Sequence, residues 1–599
     1  MSKINKVQLR NYKEGYSLIG LLPILFTLAV VPLIIFAYTD KVSDLEAINF
    51  LGSNEFIDVF IYYKSIGVII AANLTIVIFA ISYIGNGISL KRANFYIPTA
   101  IYGFFIIVST LTSKYKDIAL KGFAERYEGM VILISYLILL ILTYNFVNSE
   151  KHLKYITIAL AFSGSIICLL GLLQLIGYDF FESEFAKKVL YSLGENQKVV
   201  LPYGKYNVYS TLSNSNYVGS YVCLVLPIIL FMCFKVNTRA AQIASAIISI
   251  ALGGILLGSK SRAGFVGLVV IVFLMMIIFR KQLWQRKWII LGAAGVCIAL
   301  TVVINIAGNG IITEKVVSAL KLDVEKKGVT FDLKDIVFKD KSVEIIAPNE
   351  TLKFNIDSDT LALSDENGEP LAIEVGEEVT MTRKLKFSDS KYKDYNILID
   401  NSTLIINNKG MNLSFLMSDD GFYLVGSGKK LFNRVGHPET VGFAGLETLG
   451  SARGYIWSRT IPMLKDTIII GYGPDTYGIK YPQDDFVGKL RAYNVATINV
   501  TKPHNLYLQI AVNTGVMSLL AVLILFGIYI TQCIRLYVRK KIDTKKFTHV
   551  MGTGLFLGIC GYLIAGLFND SVVTVAPLFW VLLGVGFACN YLVKNEKAG

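Results

Sequence analysis

The sequence predicts an all-α polytopic membrane protein of about twelve transmembrane helices, interrupted late by an inserted all-β domain outside the cytoplasm. Three observations carry this. The 599-residue chain is 54% hydrophobic and only 17% charged, against about 25% charged in ordinary soluble domains. Apolar runs of about 20 residues, the length that crosses a bilayer, recur along it. A single long polar stretch with strand and turn signals separates the late runs from the early ones.

Twelve apolar runs read as spans: 17–38, 65–85, 96–113, 129–147, 155–177, 217–234, 241–258, 263–279, 287–306, 506–534, 549–568 and 574–593. The first is too long for a cleaved signal peptide and lacks a small-residue cleavage site. Basic residues sort the loops, because short cytoplasmic loops collect Lys and Arg. Lys3, Lys6, Arg10 and Lys13 precede the first span, and alternate loops hold Lys91-Arg92, Lys151 with Lys154, Lys235 with Arg239, and Arg280 to Lys287. Arg535 to Lys546 and the tail residues Lys594 and Lys597 continue the pattern. Both termini are therefore expected in the cytoplasm of a plasma-membrane protein. The loops 39–64, 114–128, 178–216, 259–262, 307–505 and 569–573 are expected outside. Topology accounts for most of the net charge of +14, so nucleic acid is not needed as a partner.

The long outer loop is a domain. Val329–Leu333, Val343–Ile346, Leu352–Ile356, Ile397–Ile399 and Thr403–Ile406 read as short strands, punctuated by Asn367-Gly368, Lys409-Gly410 and Asp420-Gly421. The expected organisation is an N-terminal transmembrane bundle (1–306), a β insert (313–435), an outer loop carrying an amphipathic helix (440–505), and C-terminal transmembrane helices (506–599). The insert shows no metal or nucleophile constellation, and Gly426–Lys430 lacks the spacing of a phosphate-binding loop. A spacer or docking module describes it. All seven cysteines lie in spans or at their ends, which leaves neither a disulfide framework nor a Cys-based metal site. Asp484-Asp485 reads as a solvated loop rather than a metal site.

The chemistry-bearing residues cluster at outer span ends. Of four histidines, His504 alone joins a Pro turn, a following Asn and an apolar helix, in Lys502-Pro503-His504-Asn505-Leu506-Tyr507. An imidazole there can take a proton near neutral pH; the plainer alternative is a helix-entry residue bonded to local backbone. Gly258-Ser259-Lys260-Ser261-Arg262-Ala263-Gly264 puts Lys260 and Arg262 where the charge bias disfavours cations, a mark of function at a membrane edge. The Arg262 fork suits phosphate oxygens, with lipid headgroup pairing as the alternative. Arg453 and Trp457 share a face of a short amphipathic helix that ends at Gly471-Tyr472-Gly473-Pro474. Arg126-Tyr127-Glu128-Gly129 opens the fourth span, Arg126 reading as a headgroup anchor or a partner of Glu128. The run Ser213-Asn214-Ser215-Asn216 opens the sixth as a helix cap.

Ser261–Gly264, Arg453 with Trp457, Gly471–Gly473, and Pro503-His504-Asn505-Leu506-Tyr507-Leu508-Gln509, in this order and sidedness, resemble the O-antigen ligase and polymerase superfamily. Arg126–Gly129 and Asn214–Asn216 fit its earlier segments, and the β insert departs from its pattern. The resemblance implies a metal-independent glycosyltransferase of the GT-C type without a cofactor. Its donor would be a glycan on undecaprenyl diphosphate, and its acceptor a lipid, a protein, a wall polymer or a growing polysaccharide chain. Carried over, His504 is the base, and Arg262 and Arg453 bind the diphosphate. Arg126, Lys260 and Asn216 complete the expected substrate-binding set. Two other classes remain in view. A transporter or flippase predicts charges buried mid-span and matching broken halves. A receptor or scaffold presenting the β insert leaves Arg262, Arg453 and His504 without a shared role.

Overall fold

The computed structural model describes residues 6–85, 87–191, 199, 201, 203–233, 238–285, 332–357, 360–375, 382–540 and 542–596. The N-terminal helices are α1 (Lys6–Ala29), α2 (Tyr62–Ile84), α3 (Tyr96–Thr112), α4 (Met130–Phe146), α5 (Glu150–Leu175), α6 (Ser215–Met232), α7 (Arg239–Ser259) and α8 (Arg262–Ile278). Outside and after the β region come α9 (Leu449–Met463), α10 (Phe486–Tyr493), α11 (Leu506–Thr514), α12 (Val516–Cys533), α13 (Phe547–Ala565) and α14 (Ala576–Asn595). Eight described helices are long and apolar enough to cross a membrane, and α3, α4 and α8 are shorter apolar helices. The chain is a multi-pass membrane protein. The span expected at 287–306 lies outside the described residues.

Burial separates the bundle into centre and rim. The apolar windows of α13 and α14 are each 89% buried, against 22% for α7, so α7 presents most of its apolar surface outward. Close approach makes the centre possible. A side-chain carbon at Gly558 of α13 would lie 2.2 Å from the Leu224 carbonyl of α6, the small-residue packing that brings membrane helices together.

The run 506–534, expected as one span, is instead two helices broken at Gly515, whose φ is 110°. The reason lies outside the run. Segment 467–473 crosses the break and takes its backbone groups: Val516 N–H donates to the Thr467 carbonyl (2.9 Å), and Tyr472 N–H to that of Val512 (3.0 Å). A side chain at Gly515 would meet the Ile469 carbonyl at 2.4 Å. Only glycine accommodates both the backbone angle and the crossing.

Alternate loops gather at opposite ends of the bundle. At one end, Glu46 accepts from Ala124 N–H (3.0 Å), Lys64 donates to the Thr211 carbonyl (2.8 Å), and Asn569 to that of Asn216 (3.1 Å). At the other, Lys91 caps α4 through the Tyr144 and Val147 carbonyls, near a cleft lined by Arg92, Arg535, Lys540 and Lys594.

A small hairpin pairs β1 (Tyr38–Lys41) with β2 (Glu55–Asp58). The β insert holds a four-stranded sheet, β3 (Asp335–Lys339), β4 (Ser342–Ile346), β5 (Thr351–Asp357) and β6 (Thr360–Ser364), in sequence order. A seven-stranded antiparallel sheet follows: β7 (Ile373–Val375), β8 (Thr382–Phe387), β9 (Asn396–Asp400), β10 (Thr403–Asn408), β11 (Met411–Ser418), β12 (Gly421–Val425) and β13 (Leu431–Phe432). Alternation sets the register, with Leu404 facing Phe415 and Ile406 facing Leu413 on the buried side. Val343, Ile345 and Phe354 of one sheet and Ile397, Leu404 and Phe415 of the other share one core. Of the expected strands, Val329–Phe331 falls outside the described residues, and Asp332 and Leu333 are not strand; the first strand begins at Asp335. The core extends past the expected boundary at 435, because Phe486, Val487 and Leu490 of α10 are buried in it.

Candidate functional site

The segment Thr501–Asn505 enters α11 through a tight turn. His504 has φ 51°, a left-handed angle that costs a non-glycine residue on the order of 1–3 kcal/mol. The turn is held on both sides. Asn505 caps α11, its side chain accepting from Tyr507 and Leu508 N–H (2.9 and 3.0 Å). Trp457 Nε1 donates to the Pro503 carbonyl (2.9 Å).

The loop between α13 and α14 supplies the partner. Asp570 Oδ1 accepts from Asn505 N–H (3.2 Å), and Asp570 Oδ2 lies 3.0 Å from His504 Nδ1. Asp570 is 1% exposed while 34% of the His504 side chain is open. Among the described residues, no group other than His504 lies within ion-pair or hydrogen-bond reach of Oδ2. A carboxylate beside Nδ1 favours the tautomer protonated on that side, with the opposite nitrogen as an acceptor. Burial pushes the His504 imidazole below its ordinary range, outweighing the pull of Asp570, with Lys502 and Arg453 adding to the drop. Burial alone raises the Asp570 carboxyl, but His504, Lys502 and Arg126 outweigh it and hold the group ionised.

Cations surround this pair. Arg453, on α9, donates through Nε to the Phe568 carbonyl (3.0 Å) and through Nη1 to that of Gly450 (2.6 Å). Burial and the nearby Arg262 lower its affinity for its proton, which places the two guanidinium groups in one electrostatic neighbourhood. Arg262 is half-buried in the first turn of α8, where Ser261 caps the helix by accepting from Gly264 N–H (3.2 Å). Lys260 is exposed, with φ 54°, at the end of α7. Asn216 joins the group through its backbone: its carbonyl receives Asn569 Nδ2 (3.1 Å) and Ser261 Oγ (3.4 Å), while Asn214 caps α6. Lys502 donates to Tyr217 Oη (2.7 Å).

Arg126 corrects an expectation. It is neither at a headgroup position nor bonded to Glu128, but buried, with Nε 2.6 Å from Asp475 Oδ1, Nη2 on the Asp475 carbonyl and Nη1 on the Thr501 carbonyl. Sequence pairing by adjacency fails because the 122–129 turn sends neighbouring side chains to different layers. Glu128 accepts from Ser571 Oγ (2.7 Å), Tyr136 Oη (3.0 Å) and Gln509 Nε2 (3.3 Å). Burial pushes its carboxyl up to about 8. Asp485 also departs from the solvated reading. It is buried, pairs with Arg459 (2.9 Å) and caps α10 through Gly488 N–H; Asp484 lies 3.8 Å from Arg434.

The fold thus brings His504, Arg453, Arg262 and the Asn216 backbone to one end of the bundle, keeps Lys260 at its exposed rim, and sets Arg126 behind it. Asp570 and Asp475 are the members that sequence reasoning did not single out; Glu128 and Lys502 entered it only as neighbours of Arg126 and His504. Asp570 left one trace, an acid in the very short loop 569–573.

Residues 410–523 match the family model described as O-antigen ligase. Over this segment the chain is similar to the O-antigen ligase family, which supports a place in the O-antigen ligase and polymerase superfamily. The match contains Arg453, Trp457, Gly471–Gly473 and His504, and begins at residue 410, just ahead of β11. Arg126, Asn216, Arg262 and Asp570 lie beyond it in sequence and beside it in space. No curated protein and no solved structure matches the chain. The match supports an enzyme class, ligation or polymerisation of glycans, and with it a bilayer and a lipid-linked glycan as partners.

Proposed function

We propose that the protein transfers a glycan from an undecaprenyl-diphosphate carrier to an acceptor hydroxyl or growing chain at the outer face of the cytoplasmic membrane. One observation carries the reading: the 3.0 Å approach of His504 Nδ1 to the buried Asp570 Oδ2, beside Arg453 and Arg262. Asp570 orients the ring so that its other nitrogen takes the proton of the acceptor O–H. The acceptor oxygen forms a bond to the anomeric carbon as the bond from that carbon to the diphosphate oxygen breaks. The electron pair leaves on the lipid diphosphate, where Arg262 and Arg453 offset the growing charge. Lys260 stands at the rim for the same anion. Arg126 acts at one remove, holding the Thr501 carbonyl and hence the His504 turn. Arginine supplies the counter-charge, so the reaction proceeds without a metal.

The test is transfer in nanodiscs with lipid-linked donor and acceptor, with chelator present. The wild type should be active and His504→Ala about 10²–10⁴-fold slower while still binding donor. Near wild-type turnover by His504→Ala, or loss of wild-type activity with chelator, would overturn the mechanism.

A further inference from the structure

Two clefts meet on the other side of the 122–128 loop from His504. The first, about 850 Å³, lies between the Tyr38–Glu46 segment and Lys114–Tyr127 and reaches the first turns of α2 and α4. The second, about 580 Å³, lies between Leu45–Phe50, the edge of the seven-stranded sheet at Lys430–Arg434, and Ile479–Lys489. Leu45 and Tyr115 line both, so the two run together as one groove. Each is of the size that takes a drug-sized ligand, about 300–1,000 Å³. Together they fit a chain of several units rather than one small molecule.

The walls describe the occupant. Tyr38 and Tyr62 stack at 3.5 Å, and Tyr127 sets its edge on Tyr62 at 5.3 Å. Tyr115 stands at the junction and Phe432 in the far cleft. Between these rings stand Asp40, Lys41, Lys116 and Asp117. Aromatic walls favour the C–H surfaces of pyranoses, and interleaved charged groups offer donors and acceptors to their hydroxyls. A polyprenyl chain needs continuous apolar walls, which these charges interrupt. An added peptide strand needs a sheet edge, and β13, the edge here, has two residues. The wall is firm: Lys430 Nζ donates to Asn49 Oδ1 (2.6 Å) and Asn499 Nδ2 to the Asn49 carbonyl (2.9 Å), locking the β insert to the Asp44–Leu51 segment.

We propose that this groove, built jointly by the β insert and the 38–51 and 114–127 segments, binds the extended saccharide chain that the His504 site handles. The proposal rests on the glycan-transfer reading. Gly122, Ala124 and Tyr127 face the groove, while Arg126 and Glu128 on the same loop face the His504 side. The groove therefore adjoins the site through one shared wall. The β insert is part of the substrate-binding surface.

The test uses the full chain in its host membrane, with the host's own glycan as probe. A photoreactive benzoylphenylalanine replaces Tyr115, Lys116 or Phe432 in turn, with Lys393, on an exposed turn of the insert, as the control. Lys116 is exposed and tolerates replacement should either aromatic position not. After irradiation, carbohydrate-stained adducts are expected at the groove positions and not at Lys393. They should persist when His504→Ala is added. Absence of glycan adducts at all three positions, equal labelling at Lys393, or adducts made only of lipid or peptide would overturn the groove. Adducts together with full transfer by His504→Ala would overturn the catalytic reading and leave the groove standing. Transfer that depends on His504 without adducts would do the reverse.

Discussion

Asp570 Oδ2 lies 3.0 Å from His504 Nδ1, although one residue comes from the loop before the last helix and the other from the entry to α11. The same Asp570 receives Asn505 N–H through its other oxygen. One carboxylate therefore aligns both the ring and the backbone that carries it. The pair is the arrangement from which the following expectations derive.

His504→Ala removes the proton acceptor without touching the arginines. Turnover should fall about 10²–10⁴-fold, the usual loss for a positioned general base. Donor binding, measured separately on nanodiscs, should stay at the wild-type level.

The pH profile follows from the direction of the His504 shift. The neutral ring is the active form, so rate is complete above its pKa and falls as pH drops through it. Burial holds that pKa below the ordinary 6.5, so the acid limb of kcat should lie below pH 6.5. Asp570→Asn removes the group that opposes the drop. The limb should move to still lower pH, and the maximal rate should fall by up to about 10⁴-fold as the ring loses its oriented tautomer. An unmoved limb would remove Asp570 from the mechanism.

The two arginines should separate kinetically. Arg262→Lys keeps charge but loses the two-pronged fork, so it should raise the KM for lipid-linked donor and lower transfer. Arg453→Lys also releases the Phe568 or Gly450 carbonyl, both now held by one guanidinium. Its kcat should fall more than that of Arg262→Lys, because the loop carrying Asp570 loosens. Equal effects in both parameters would argue against distinct roles.

Phe486 anchors the segment after the β insert in the β core. Phe486→Ala should cost about 3–5 kcal/mol of local stability, the usual loss for a buried aromatic. Limited proteolysis should then release the β insert while the helical bundle stays intact. An insert as resistant as the wild type would show that the shared core is not what holds it.

Sidedness is tested by single cysteines in a cysteine-free background. Lys260→Cys and Ser388→Cys should react with an impermeant thiol reagent in intact cells, and Lys540→Cys should not. All three positions are exposed, so silence reports the membrane rather than burial. Labelling at Lys540 alone would invert the topology.

The local signals were legible because they are short-range. Apolar length alone located the helices near 65–85, 155–177 and 549–568, and period-two alternation located β4, β5, β9 and β10. The left-handed turn before α11 was marked by Pro503 and Asn505. His504 and Arg453 stood out as polar groups at helix ends. The family match on 410–523 covers both residues, as well as the Gly471–Gly473 turn.

What the sequence determined by itself was therefore membership in the membrane class, the positions of most elements, and the polar residues at their ends. These follow from hydropathy and turn chemistry within a few residues of one another. The tertiary structure decided which ends meet. It broke the run 506–534 at Gly515, because segment 467–473 supplies the backbone partners there. It sent Arg126 to Asp475 rather than to Glu128, buried Asp485, and brought Asp570 to His504. Each is a charge or backbone group removed from water that must find a partner, and the partner is chosen by proximity in space, which separation along the chain does not encode.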